Sequence, residues 1–144
     1  MPDPDIAFAA IDRAGAERFQ ALRRELGVRS FGLNVIVLQP RQRGRIHAHE
    51  RQEEVYLVLE GTLTLLVEGD ETDHERGTLI RVAPGVRRQL VNRGPLDLHL
   101  LAIGGAGEHE GRDGKAWTSW DATDSASPQE TPMPDDLPKA DLRT

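Results

Sequence analysis

The sequence predicts a single all-β domain, a sandwich or barrel of antiparallel strands. Short apolar runs recur through the middle of the chain: SFGLNVIVLQ, VYLVL, LTLLV, TLIRV, RQLVN and LDLHLLAI. Glycine or proline punctuates them at Gly61, Gly69, Gly77, Pro84–Gly85 and Gly94–Pro95, the spacing of strands joined by tight turns. The size agrees, since 144 residues with 38% apolar and 29% charged content suit one domain with its own core.

Composition removes several function classes. The chain has no cysteine, so disulfides, thiolate nucleophiles and sulfur-ligated zinc are excluded together. The start, MPDPDIAFAA, carries acids where an export signal would be basic, and a cytoplasmic location is expected. No apolar run approaches the length of a membrane span, so no membrane partner is expected. Of the net charge of -6, residues 121–144 hold -4, six acids against Lys139 and Arg143. The nearly balanced remainder lacks the basic patch of a nucleic-acid binder. No G-x-S-x-G elbow and no phosphate loop of the GxGxxG or GxxxxGK[ST] type is present.

Residues 1–29 read as an N-terminal segment with one short helix. From Ala14, AGAERFQALRRELG places Phe19, Leu22 and Leu26 at helical spacing, with Gly27 as the stop. Such a helix would lie over one edge of the barrel, which occupies residues 30–120. The first strand, Ser30 to Gln39, sets Phe31, Leu33, Val35 and Val37 on one face, and Pro40 ends it. Arg41, Arg43 and Arg45 then alternate. On a strand they would share a face with His47 and His49 and line the same cavity; in a loop they would be solvated.

The stretch GGAGEHEGRDGK is too glycine-rich for regular structure and reads as a flexible lid or linker. Trp117 and Trp120 would cap a barrel mouth or a dimer seam. Residues 121–144, with four prolines and excess acid, read as a disordered tail whose order would have to come from a partner or neighbouring subunit. Both faces of VYLVL and LTLLV are apolar, more than one interior uses, so a homodimer is expected.

The chemistry concentrates between Gly44 and Gly69, GRIHAHERQEEVYLVLEGTLTLLVEG. On an extended strand His47 and His49 point to the same side. Imidazole nitrogens suit zinc, copper, iron and nickel, and a carboxylate beside them extends the choice toward iron and manganese. Glu53 has the parity with His49 that an unbroken strand needs; Glu54 needs a bend in the intervening residues. Strand logic alone leaves both open.

This stretch resembles the first conserved motif of the cupin superfamily, G-x5-H-x-H-x3,4-E-x6-G. His47, His49, Glu54 and Gly61 meet its spacing, while the opening glycine position falls on Arg41 and the nearest glycine is Gly44. The second motif, G-x5-P-x-G-x2-H-x3-N, is partly present in GTLIRVAPGVRRQLVN. Gly77, Gly85 and Asn92 are in register, but Ala83 stands at the proline position and Arg88 at the histidine position. The resemblance covers roughly Phe31 to Ile103. It implies a cupin, or jelly-roll, β-barrel and makes Glu54 the carboxylate ligand beside His47 and His49.

Arg88 is the departure with most consequence, because a guanidinium has no lone pair for a metal. Pointing inward, it leaves a set of two histidines and one carboxylate with open coordination positions, and could hold a substrate carboxylate bidentately. It could instead pair with Glu54 and leave a metal-free cavity, or, in a slipped register, lie outside in water. His99 is a secondary candidate ligand, and His74 and His109 lie in loop-like sequence. Tyr56 shares the face of Glu54, as cavity wall or as an acid.

The expected function is a cupin holding one divalent ion (Fe, Mn, Ni, Cu or Zn) at His47, His49 and Glu54. It would act on a small anionic molecule by oxygenase-type or Lewis-acid chemistry. The alternatives are a metal-free cupin that binds or senses a small polar ligand, and metal-free isomerisation or epimerisation with His47 or His49 as base.

Overall fold

The computed structural model describes residues 5–15, 17–105 and 113–143. The first elements among the described residues are β1 (Phe19–Gln20) and the helix α1 (Leu22–Leu26). Then follow β2 (Gly32–Leu38), β3 (Ile46–His49), β4 (Glu53–Glu60), β5 (Thr62–Val67) and β6 (Asp70–Glu75). The barrel is completed by β7 (Leu79–Val82), β8 (Gln89–Val91), β9 (Leu98–Gly105) and β10 (Gly114–Trp117). A five-stranded sheet has the order β1-β2-β9-β4-β7, a three-stranded sheet the order β6-β5-β8, and β10 pairs with β3. Every pairing is antiparallel.

The two larger sheets share one core. Period-two alternation puts Leu98, Leu100 and Ala102 of β9 and Tyr56 and Val58 of β4 on the inner face. They meet Leu63 and Leu65 of β5 and Leu90 of β8 from the other side. The β4–β5 turn needs Gly61: its φ is 82°, and a Cβ there would come within 2.6 Å of the Asp97 carbonyl oxygen. The first strand differs from expectation in its orientation. Leu33, Val35 and Val37 face outward, and Leu22 of α1 and Leu101 of β9 cover them. Phe31 lies before the strand, and Asn34, Ile36 and Leu38 line the barrel cavity.

The helix is shorter than its spacing predicts. Gly15 has φ 64°, outside the right-handed helical region, and a Cβ there would approach Val37 to 2.9 Å. Beyond it the edge of β2 captures the chain, with the Val37 N–H donating to the Arg18 carbonyl at 2.7 Å and Phe19 opposite Ile36. Gly27 does end α1, in the left-handed conformation at φ 74°.

Residues 121–143 contain only two 3-10 turns, Pro128–Glu130 and Lys139–Asp141, as a proline-rich segment should. They are nevertheless tied to the barrel, and the ties come from the chain itself rather than a neighbouring subunit. Arg41, Arg43 and Arg45 donate their Nε–H groups to the carbonyls of Leu137, Asp135 and Thr131, each at 2.7 Å. Leu137 and Thr131 are buried. No helix among the described residues is long and apolar enough to cross a membrane. The glycine-rich stretch read as a lid or linker falls mostly in 106–112, and His109 with it, outside the described residues.

Candidate metal centre

Strand β3 runs between β10 and the segment entering β8. His47 and Arg88 exchange both backbone hydrogen bonds, at 3.0 and 2.9 Å, so they are directly opposed residues of an antiparallel pair. Opposed residues project to the same face, which sends the Arg88 side chain inward beside the His47 ring. Arg88 has no exposed surface, so the reading that set it in water is corrected. Arg87 takes the outer side, its guanidinium 3.8 Å from the centroid of the Trp117 ring and donating to the Ala122 carbonyl.

The bend between β3 and β4 decides between the glutamates. The Asp113 carboxylate accepts the backbone N–H groups of Arg51 and Gln52 at 3.1 and 3.0 Å, and the Gln52 side-chain amide at 2.8 Å. The chain turns there, so Glu54 faces inward, as the family motif implies. Glu53 faces out and accepts from Arg81 at 2.6 Å.

The same Asp113 holds His49, whose Nδ1 lies 2.7 Å from Oδ1. The Nδ1 of His47 lies 3.1 Å from the Arg45 carbonyl oxygen. Both partners are acceptors, so in the neutral ring each histidine carries its proton on Nδ1 and leaves Nε2 with a lone pair. Those Nε2 atoms face Glu54, His49 at 3.6 Å from Oε2 and His47 at 3.9 Å from Oε1. Both distances exceed a hydrogen bond. The ligand atoms of His47, His49 and Glu54 all lie within 4.8 Å of one another. Metal bonds of about 2.0–2.2 Å set neighbouring ligand atoms about 3–3.5 Å apart, so the group could hold an ion after a small contraction.

Glu54 is divided between two tasks. Its Oε1 accepts from Arg88 Nη2 at 2.7 Å and from the Tyr56 hydroxyl, while Oε2 is turned toward His49. Burial acts to raise the Glu54 pKa, but the nearby His47, the Arg88 charge and His49 outweigh it and hold the carboxyl well below its usual range. At 3.9 Å the His47 contribution is electrostatic rather than a formed hydrogen bond. Burial, then the Glu54 charge, pushes Tyr56 well up. For Asp113 burial again opposes ionisation, and the His49, Arg51 and Gln52 hydrogen bonds overcome it, lowering its pKa.

Several side chains singled out from the sequence take other places here. The bidentate grip of Arg88 on a substrate carboxylate does not match its contacts. Its Nε donates to the Tyr56 hydroxyl at 3.2 Å, Nη1 to the Val86 carbonyl at 3.1 Å and Nη2 to Glu54. Tyr56 is itself fully buried with its hydroxyl on Glu54, so it orients the carboxylate. The other histidines stay apart. His99 lies on the face of β9 opposite Leu98 and Leu100, and His74 lies in β6, a strand rather than a loop, against the Thr72 hydroxyl at 2.8 Å.

A cavity of about 740 Å³ opens onto His47, His49, Glu54 and Tyr56. Arg45 lines it, whereas Arg41 and Arg43 do not. Arg18, Arg23 and Arg24 also reach it, together with Asp113 and Met133 of the tail. Asp113 and the N-terminal arginines were not singled out from sequence. Asp113 stands 64 residues from His49 in a glycine-rich stretch, and only its place just before β10, the partner of the HxH strand, marks it.

Comparison with known proteins bears on the family and the fold. Residues 34–104 match the family model described as "Cupin domain". No curated protein matches the sequence significantly. Among solved structures, a cupin protein from Bacteroides fragilis is 20% identical over 83% of this chain and 97% of its own, with a TM-score of 0.64. A sugar phosphate isomerase of the cupin superfamily from Silicibacter pomeroyi is 24% identical, over 85% of this chain and 84% of that one, with a TM-score of 0.62. A provisionally assigned sugar phosphate isomerase from Acidithiobacillus ferrooxidans is 27% identical with a TM-score of 0.55. That match covers 60% of this chain and spans only 56% of the other protein.

Proposed function

Because the chain belongs to the cupin superfamily, we propose that it is a mononuclear divalent-metal enzyme acting on a small anionic molecule. His47, His49 and the Oε2 atom of Glu54 are the ligands. The observation that carries this is the fixing of both Nδ1 atoms, by the Arg45 carbonyl and by Asp113, which frees both Nε2 lone pairs toward one carboxylate. A bound ion would supply a Lewis acid or an oxygen-activating centre. Similarity to the Acidithiobacillus protein, with its sugar phosphate isomerase assignment, supports the Lewis-acid choice. Arg88 and Tyr56 serve as positioning residues that hold Glu54 in place from the side away from His49.

The metal-free reading keeps one specific support, the 2.7 Å ion pair of Arg88 with Glu54, which already satisfies part of the carboxylate charge. Elemental analysis of untagged protein separates the two. Near-stoichiometric metal that is lost in a His47→Ala/His49→Ala double variant is the expected result. Absence of metal after incubation with each candidate ion supports the metal-free cupin.

We also infer a homodimer. Leu79 and Ile103 remain exposed opposite Leu57 and Val55 on the outer face of the larger sheet. Sedimentation at micromolar concentration should give twice the monomer mass, and a monomer would exclude this.

A further inference from the structure

We propose that Arg18 and Arg45, with Arg24 of the same cavity lining, seat a phosphoryl group, so that the molecule this cavity takes is a small phosphate monoester. This rests on the reading of the cavity as the working site, and it names the substrate class for it.

Arg18, Arg23, Arg24 and Arg45 line the same cavity as His47, His49 and Glu54. They come from separate parts of the chain. Pairing of β1 with β2 brings in Arg18, whose carbonyl accepts the Val37 N–H at 2.7 Å. Arg45 directly precedes β3, and its Nε is tied to the Thr131 carbonyl at 2.7 Å. That tie fixes the guanidinium plane and leaves the two terminal nitrogens to other acceptors.

Among the described residues the carboxylates lining this cavity are Glu54 and Asp113, and both are engaged. Glu54 receives Arg88 and Tyr56, and Asp113 receives His49, Gln52 and the Arg51 N–H. Among the described residues none of these four arginines has an acidic partner; Arg23 donates to the Val28 carbonyl, which leaves its charge in place. Arg18 and Arg45 are neighbouring like charges on one cavity wall, and the two guanidiniums repel each other. An anion placed between them removes that repulsion.

The number of cations selects the anion. One guanidinium fork satisfies a carboxylate, whereas a phosphate monoester carries nearly two charges and three oxygens for more than one fork. With the phosphoryl group at these arginines, the rest of the molecule extends in the same cavity toward His47, His49 and Glu54.

The test uses the full chain, with inorganic phosphate and acetate as probes in calorimetric titration. Phosphate should bind, and acetate should bind at least about tenfold more weakly. Arg18→Gln, and separately Arg24→Gln, should weaken phosphate binding, about tenfold or more for Arg18→Gln, with metal stoichiometry and melting temperature unchanged. No phosphate binding at millimolar concentration, acetate binding as tightly as phosphate, or unchanged phosphate affinity in a folded Arg18→Gln protein overturns the proposal. Protein that binds phosphate through Arg18 but takes no metal keeps this seat and removes the metal reading. Protein that takes metal but no phosphate does the reverse.

Discussion

Arg88 and Glu54 form a buried ion pair in the position where the second cupin motif has a histidine. Nη2 donates to Oε1 at 2.7 Å, and the Arg88 side chain has no exposed surface. The pair uses one carboxylate oxygen and leaves the other facing His49. One glutamate therefore binds an internal cation and still turns an oxygen toward a group that could hold an ion.

Removing only the cation leaves a buried, uncompensated carboxylate. Arg88→Met should lower unfolding stability by roughly 3–5 kcal/mol in metal-free buffer. Adding Glu54→Gln should recover part of that loss. Urea unfolding of the single and double variants measures it, and a single-variant loss below about 1 kcal/mol contradicts a tightly coupled pair.

Asp113 acts through His49. Asp113→Asn should reduce metal affinity about 10–100-fold, because an amide can turn its NH2 toward Nδ1 and force the ring proton onto Nε2. Competition with a chromophoric chelator reads the change. Equal affinity would mean that the His49 tautomer does not depend on this contact.

The pH dependence follows from Glu54 and Asp113, whose folded pKa values both lie below the ordinary carboxylate value. A depressed folded pKa contributes stability that is fully present above the unfolded value. It is lost progressively as pH falls below that value toward the folded one. Stability should therefore be level at neutral pH and decline below the usual carboxylate range, about pH 4. Asp113→Asn should show a shallower acid limb in urea melts at stepped pH.

The fold was legible because turn glycines and period-two runs are local signals, and Gly61 and Gly27 do what their positions imply. The motif positions show how local geometry outlasts residue identity. Arg41, at the site of the missing motif glycine, adopts φ 78°, a conformation that favours glycine. His47 and His49 were legible from strand parity. Glu54 over Glu53 was not, because the bend that inverts parity is held by Asp113, 61 residues away from Gln52. Arg88 and Arg87 are equivalent in sequence, and the bridge to His47 separates them. Helical spacing absorbed Arg18 and Phe19, and the open edge of β2 overrode that spacing.

Asn92 keeps its motif position for a backbone reason. Its Nδ2 donates to the carbonyls of Leu38 and Leu96, each at 2.8 Å, and its Oδ1 accepts the Gly94 N–H at 2.9 Å. Asn92→Ala leaves the buried Leu38 carbonyl without its donor and unties the Gly94 and Leu96 backbone, and should cost roughly 1–3 kcal/mol. Urea unfolding checks this, and a loss under about 0.5 kcal/mol would show that water replaces the amide.

In the proposed function Glu54 ligates an ion while paired to Arg88. Calorimetric titration of zinc and manganese into metal-free protein, beside Glu54→Gln, tests it most directly. Near-stoichiometric binding by the wild type, abolished in a folded Glu54→Gln protein, is the predicted result. Unchanged stoichiometry in Glu54→Gln, or no uptake by the wild type, would contradict it.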